Sequence, residues 1–304
     1  MAVVATIGVV PYISIQLKAV SQSLQTMITD PLFPEDIMPV MQGADGLSML
    51  VAPRMGVSAF LFGTRHIDTT EHQDGMILAI SVESIVKLVA FIAVGLFVTL
   101  TMMGGFEKLA AQVTADPHIY ALLANGLSGT RWLTLTLLAA IAIILLPRQF
   151  HVSVVENAAP SDIRRAAWLF PLYLVAINIF VIPIAIAGLV MLPASADGDT
   201  FVLALPVSAQ SGFFAMVAFI GGLSASTAMV VVETIALSIM ICNNLVVPLL
   251  LRQRTERPEL LHDMGKTLIT IRRLAIALVL VLAYGYYRMI GSTAALAQVG
   301  LISF

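Results

Sequence analysis

The chain has 304 residues, 59% of them hydrophobic and 11% charged, with a mean hydropathy of +0.96 and a formal net charge of −2. Soluble domains carry about 25% charged residues, so the composition excludes a water-soluble globular domain and describes a multi-pass, all-α membrane protein, one transmembrane domain over 1–304. No basic patch with interleaved aromatics points to nucleic acid, and a single cysteine, Cys242, excludes a disulfide framework or a cysteine-based metal site.

Hydropathy predicts about seven spanning segments, near 2–27, 47–63, 75–103, 130–148, 168–192, 212–250 and 272–291. The first opens on MAVVATIGVV, without the basic n-region or the small-residue cleavage site of a secretory signal. It reads as a helix entered partway along. The C-terminal AQVGLISF stops on an apolar upswing, so both ends are expected to continue into a longer chain. Between the first two segments, TDPLFPEDIMPVMQGADG is acidic, rich in Pro and Gly, and free of Lys and Arg; the second segment is short and carries Pro53 and Arg54. The third holds Glu83 and Lys87 four residues apart, acid first, the favourable order for an intrahelical ion pair. Phe106 to Leu127 has amphipathic patterning and is expected to lie along the interface.

The fourth segment runs into IILLPRQFHVSVVEN, residues 143–157, where Pro147 is followed at once by Arg148, Gln149 and His151. Either Pro147 ends the helix and Arg148 sits among headgroups, or the helix is interrupted at membrane depth. An interruption frees backbone polar groups for a solute site. The sixth segment lies in FIGGLSASTAMVVVETIALSIMICNNLVVPLLLR, residues 219–252. It carries Gly221-Gly222, then Ser224, Ser226 and Thr227, then Glu233, Asn243 and Asn244. The hydroxyls serve either close helix packing or as oxygen ligands to a cation. Glu233 has no partner one turn away, so it either couples a proton or pairs with another helix.

Basic residues fix the orientation. The loops after segments two, four and six hold ten Lys and Arg, among them Arg148, Arg164, Arg165, Arg272 and Arg273, against Lys108 and Arg131 in the others. Positive charge stays inside, so segment one begins in the cytoplasm and the acidic loop with Asp197 and Asp199 lies outside. Lys18 and Arg54 are expected to snorkel toward the outer interface.

Six stretches together, PYISIQLKAVSQSL, LFGTRHIDTTEHQDGMILAISVESIVKLVAF, LPRQFHVSVVEN, FPLYLVAINIFVIPIA, GGLSASTAMVVVETIAL and IRRLAIALVLVLAYGYYRMIG, resemble the sodium/solute symporter family, in particular the symporter-like domain fused to some bacterial sensor histidine kinases. They recur in family order over nearly the whole chain. The resemblance implies part of a five-plus-five inverted-repeat bundle working by alternating access in the bacterial inner membrane. The segments correspond to core helices three to nine, without the first two core helices and the last. It implies that the fourth segment is broken at Leu146 to Phe150 and that hydroxyls of the sixth, Ser224, Ser226 and Thr227, hold a coupling sodium ion. The register departs from the family there: counted back from Asn243 and Asn244, the hydroxyl pair would fall near Ala228 and Met229. Either the register slips at Gly221-Gly222, or coupling uses a proton carried by Glu233.

The expected function is therefore transport, not enzymatic catalysis: sodium-coupled symport of a small organic solute, an amino acid or a carboxylate. The solute would be lined by Tyr12, Gln16, Arg148, Gln149 and Phe150, with no cofactor or metal beyond sodium. The alternatives are proton coupling, or a sensory input domain reporting to a C-terminal histidine kinase module in the full-length chain. No ATP-binding motif or phosphoacceptor histidine helix occurs within these residues.

Overall fold

A computed structural model describes residues 2–28, 51, 53, 54, 56, 57, 74–124, 128–157, 159–249 and 264–290. Among them every regular element is helical. The long helices are α1 (Ala2–Ile28), α2 (Asp74–Leu96), α5 (Gly129–Leu145), α7 (Pro160–Asn178), α8 (Val181–Met191), α10 (Gly212–Ile241) and α11 (Met264–Ile290). Shorter ones are α3 (Phe106–Ala115), α4 (Pro117–Ala124), α6 (Pro147–Phe150) and α9 (Phe201–Ser208). Wider π turns extend three of them: Phe97–Met102 after α2, His151–Val155 after α6 and Cys242–Val246 after α10.

Five stretches are long and apolar enough to cross a bilayer: Val3–Ile28, Ile77–Met102, Pro160–Met191, Gly212–Leu249 and Thr267–Met289. They match five of the seven expected segments. The segment expected at 47–63 lies outside the described residues apart from five positions. The one expected at 130–148 is a helix of 17 residues, about 25 Å long and a little short of a full span. Two limits move. The fifth segment starts at Pro160, not 168, because proline is pre-set for the first helical position and the charged opening turns are helical too. The seventh starts at Met264 rather than 272, for the same reason: Lys266, Arg272 and Arg273 lie inside the helix.

Proline also explains the division between α7 and α8. Pro183 donates no backbone hydrogen bond and its ring crowds the carbonyl four residues back, at Ile179, where the helix loosens into a turn through Phe180. The expected amphipathic stretch forms α3 and α4, which bury Leu109 and Ile119 and leave most of their other side chains exposed.

α10 is the central helix. It packs against α1, α2, α9 and α11 and also touches α6. One core joins α1 to α10 and α11 through Val9, Ile13, Leu17, Val20, Val230, Leu237, Val279 and Ala283. The four α1 residues recur every three or four positions, one helical stripe. A second core closes the opposite end through Val94, Val98, Phe180, Ile184, Leu203, Leu205 and Ala215. On the outer faces Leu78, Val82, Ile85 and Val89 of α2 and Trp168, Leu169, Leu172 and Val175 of α7 are exposed. Apolar stripes of this kind suit hydrocarbon rather than water. Where α10 crosses α2, a Cβ on Gly221 would lie 2.5 Å from Cβ of Ala90, so only glycine lets α10 approach α2 this closely.

Candidate functional site

The helix interruption is present. α5 ends at Leu145, Leu146 turns to an extended conformation (φ −67°, ψ 127°), and the helix resumes at Pro147. Proline suits that first position because its missing N–H is not needed there. The new turn is capped by the backbone: Phe150 N donates to Leu146 O at 2.9 Å. This redirection carries Arg148 back into the protein, where its side chain is 12% exposed.

Three groups meet Arg148. Its Nε lies 3.6 Å from Oε2 of Glu233, whose side chain is 2% exposed. Its guanidinium carbon sits 4.2 Å from the centre of the Tyr12 ring, and its Nη1 is 3.3 Å from Sδ of Met229. The Tyr12 hydroxyl donates to the same sulfur at 3.4 Å. At 3.6 Å the ion pair is too long for a hydrogen bond, leaving Arg148 Nε and Glu233 Oε2 buried without one. A planar cation over an aromatic face is favourable in such desolvated surroundings. Thus Glu233 pairs with another helix, and the break, α1 and α10 are joined by a charge, a ring and a thioether.

The hydroxyls of α10 divide between two faces. Thr227 Oγ1 lies 3.3 Å from Oε1 of Glu83 while donating along its own helix to Leu223 O at 2.9 Å; Ser224 Oγ donates to Glu83 O at 3.3 Å. Ser224 and Thr227 therefore gather on one α2 residue and form an all-oxygen cluster with its carboxylate and carbonyl. Ser226, 4% exposed, is on the other side: at 100° per residue it shares a face with Met229 and Glu233, three and seven positions on. The expected set of three hydroxyls does not converge.

Nor do Glu83 and Lys87 form the expected intrahelical pair. Glu83 engages Thr227, and the Lys87 ammonium lies over the Tyr173 ring at 5.8 Å. Contacts with neighbouring helices outweigh a pairing worth about 0.2–0.5 kcal/mol on an isolated helix. Of the remaining candidates, Gln16 is half-buried on α1 one turn beyond Tyr12, and Gln149 is half-buried with its carbonyl accepting from Ser153 Oγ. Phe150 is 49% exposed. Lys18, expected to snorkel, is instead buried, 4% exposed.

Sequence reading gave no site role to Met229, Tyr173, Glu156 or Arg272. The last two belong to a second buried polar group: His151 Nε2 lies 3.1 Å from Glu156 Oε1, and Arg272 of α11 is within electrostatic range of His151. The signal for Arg272 was its place four residues inside an apolar run, which loop counting assigned to the cytoplasm. No group of three His, Cys, Asp or Glu capable of holding a metal occurs among the described residues.

One curated protein similar to the chain is an uncharacterized symporter, YhjB, of Bacillus subtilis (strain 168). The two are 31% identical over 153 residues, 49% of this chain and 30% of that protein. The match thus spans less than a third of the relative's length. No family model and no solved structure matches the chain.

Proposed function

We propose that the chain is the membrane-embedded part of a symporter, carrying a small organic solute together with a cation by alternating access. The observation that carries the proposal is the Arg148–Glu233 pair at an interrupted helix. Ionisable groups at membrane depth mark solute and ion pathways, and broken helices are where secondary transporters build their sites. The resemblance to the sodium/solute symporters and the similarity to a protein named as a symporter support the same reading.

In this reading the solute is an amino acid or another carboxylate and competes with Glu233 for Arg148, with Tyr12, Gln16 and Gln149 alongside. Sodium is held by Ser224, Thr227 and Glu83: two hydroxyls, a carbonyl and a carboxylate supply the hard oxygen ligands that an alkali cation prefers. Ser226, on the other face, serves the solute path. A second reading, proton coupling, is favoured by one observation: Glu233 is nearly inaccessible and faces a single cation. Protonating it would release Arg148 to the solute.

Uptake by the intact protein in proteoliposomes, driven by an imposed sodium gradient or by an imposed pH gradient, separates the two. Sodium coupling predicts that Thr227→Ala and Glu83→Gln raise the sodium concentration for half-maximal uptake about tenfold, a loss of one ligand's worth of binding. Proton coupling predicts instead that Glu233→Gln abolishes pH-driven accumulation while Thr227→Ala is silent. Uptake driven by neither gradient defeats the symport proposal.

A further inference from the structure

A cavity of about 470 Å³ opens between α1, α2, the α7–α8 kink, α9 and α10. Its polar lining is Ser23, Lys87, Asn178, Asp199, Thr200 and Ser226; the rest is apolar apart from Gly221 and Gly222. Ser23 is near the end of α1, and Asp199 and Thr200 lie in the short 3-10 turn before α9. These two rim pieces are tied together, Gln22 Nε2 to Asp197 Oδ2 at 3.4 Å. The rim belongs to the face poor in Lys and Arg, the outer one.

The floor is deep. Lys87 is 15 residues below Met102 and Ser226 is 14 below Gly212, the outer ends of their spans, so both lie about 21–22 Å down their helices. The charges around Lys87 leave it without an anion. Among the described residues no carboxylate lies within ion-pair distance of it. Glu83 is turned to Thr227, Glu233 faces Arg148, and Asp199 is exposed at the rim. Tyr173 offers only a ring face, and Arg148 is near enough to repel it electrostatically. An ammonium at the bottom of a low-dielectric, half-open cavity draws anions strongly.

We infer that this cavity is an outer binding site for a small monocarboxylate, with the Lys87 ammonium holding the carboxylate and the apolar wall holding a short hydrocarbon body. The inference rests on the transport reading, as the first of two stations for the same solute. A single negative charge is specified because, among the described residues lining the cavity, Lys87 is the one cation: Arg148 is already matched by Glu233, and a dianion would leave a charge unpaired at membrane depth. The volume falls in the range of small-molecule sites, about 300–1,000 Å³. Ser226 shares its face of α10 with Met229 and Glu233, so the floor leads toward Arg148 two turns further in.

The test needs no knowledge of the natural solute. Gly222→Cys, where an added Cβ meets nothing within 4 Å, places a thiol in the cavity of the intact protein, in a Cys242→Ala background. Anionic and cationic methanethiosulfonate reagents are applied from outside, and their rates are normalised to a free thiol. The anionic reagent is expected to be favoured about tenfold. Lys87→Met should erase that preference and Lys87→Arg should keep it. Millimolar propionate or butyrate should slow labelling in the Lys87 protein and leave Lys87→Met unaffected. Equal rates for the two reagents, a preference that survives Lys87→Met, or labelling indifferent to both carboxylates overturns the site. Solute uptake that proceeds despite such a result would keep the transport reading and remove this station from it; charge-selective labelling without any gradient-driven uptake would do the reverse.

Discussion

Replacing Arg148 by methionine would leave the Glu233 carboxylate, 2% exposed, facing no opposite charge inside the bundle. Breaking a buried pair from one side is costly, about 3–5 kcal/mol. The 3.6 Å separation and the partial exposure of Arg148 place this one toward the lower end, about 3 kcal/mol. Arg148→Met should therefore lower the thermal unfolding temperature in detergent markedly. Glu233→Gln should do less, because Arg148 keeps the Tyr12 ring and some access to solvent. The double variant should recover most of the loss, and strict additivity of the two would show that the groups do not interact. Sequence marked both residues as anomalous, but not as partners. They stand 85 positions apart on different helices, and spacing rules speak only about neighbours on one helix. The same limit explains Glu83 and Lys87: their spacing allows a pair, while Thr227 and Tyr173, which displace it, arrive from α10 and α7.

At the scale of the helix, α10 presents different chemistry to each neighbour. It offers glycine to Ala90 of α2, hydroxyls to Glu83, and Met229 with Glu233 to Tyr12 and Arg148. The adjacent glycines make the division testable. Gly221→Ala drives a methyl to 2.5 Å from Ala90 Cβ and should destabilise the protein by about 1–3 kcal/mol, with partial rescue by Ala90→Gly. Gly222→Ala, meeting nothing within 4 Å, should leave the unfolding temperature nearly unchanged. Equal effects from the two would put the close α2–α10 crossing in error. Pro147 beside polar residues left the break open, and only the family resemblance decided for it. The existence of the helices was legible from apolar runs long enough to span a membrane. Their limits were less so: hydropathy misses charged first turns such as those before Trp168, and it cannot see which carbonyl Pro183 crowds.

For the whole molecule, the orientation expected from basic residues needs amending. Arg148 is mostly buried and Arg272 buried within the bundle, which leaves eight of the original ten on the side expected to be cytoplasmic against two. Single cysteines test it, since Cys242 is buried. In a Cys242→Ala background, Ser195→Cys should react with an impermeant maleimide on intact cells. Ser161→Cys, in the first turn of α7 and exposed, should react only after permeabilisation. The opposite pattern would invert the molecule and turn the Lys87 cavity toward the cytoplasm.

α10 is synthesised after α1, α2 and α6 yet supplies partners to all three; Tyr12 and Met229 are 217 positions apart. Until α10 enters the bilayer, the Glu83 carboxylate and the Arg148 guanidinium must wait without their α10 partners, Thr227 and Glu233. Biogenesis then depends on a holding step, in which earlier helices stay shielded at the insertion machinery or lean on water and headgroups. A nascent chain stalled before residue 212 would display those charges to lipid and become a target for membrane quality control. The helix that organises the finished structure would also decide, during synthesis, whether the chain survives to form it.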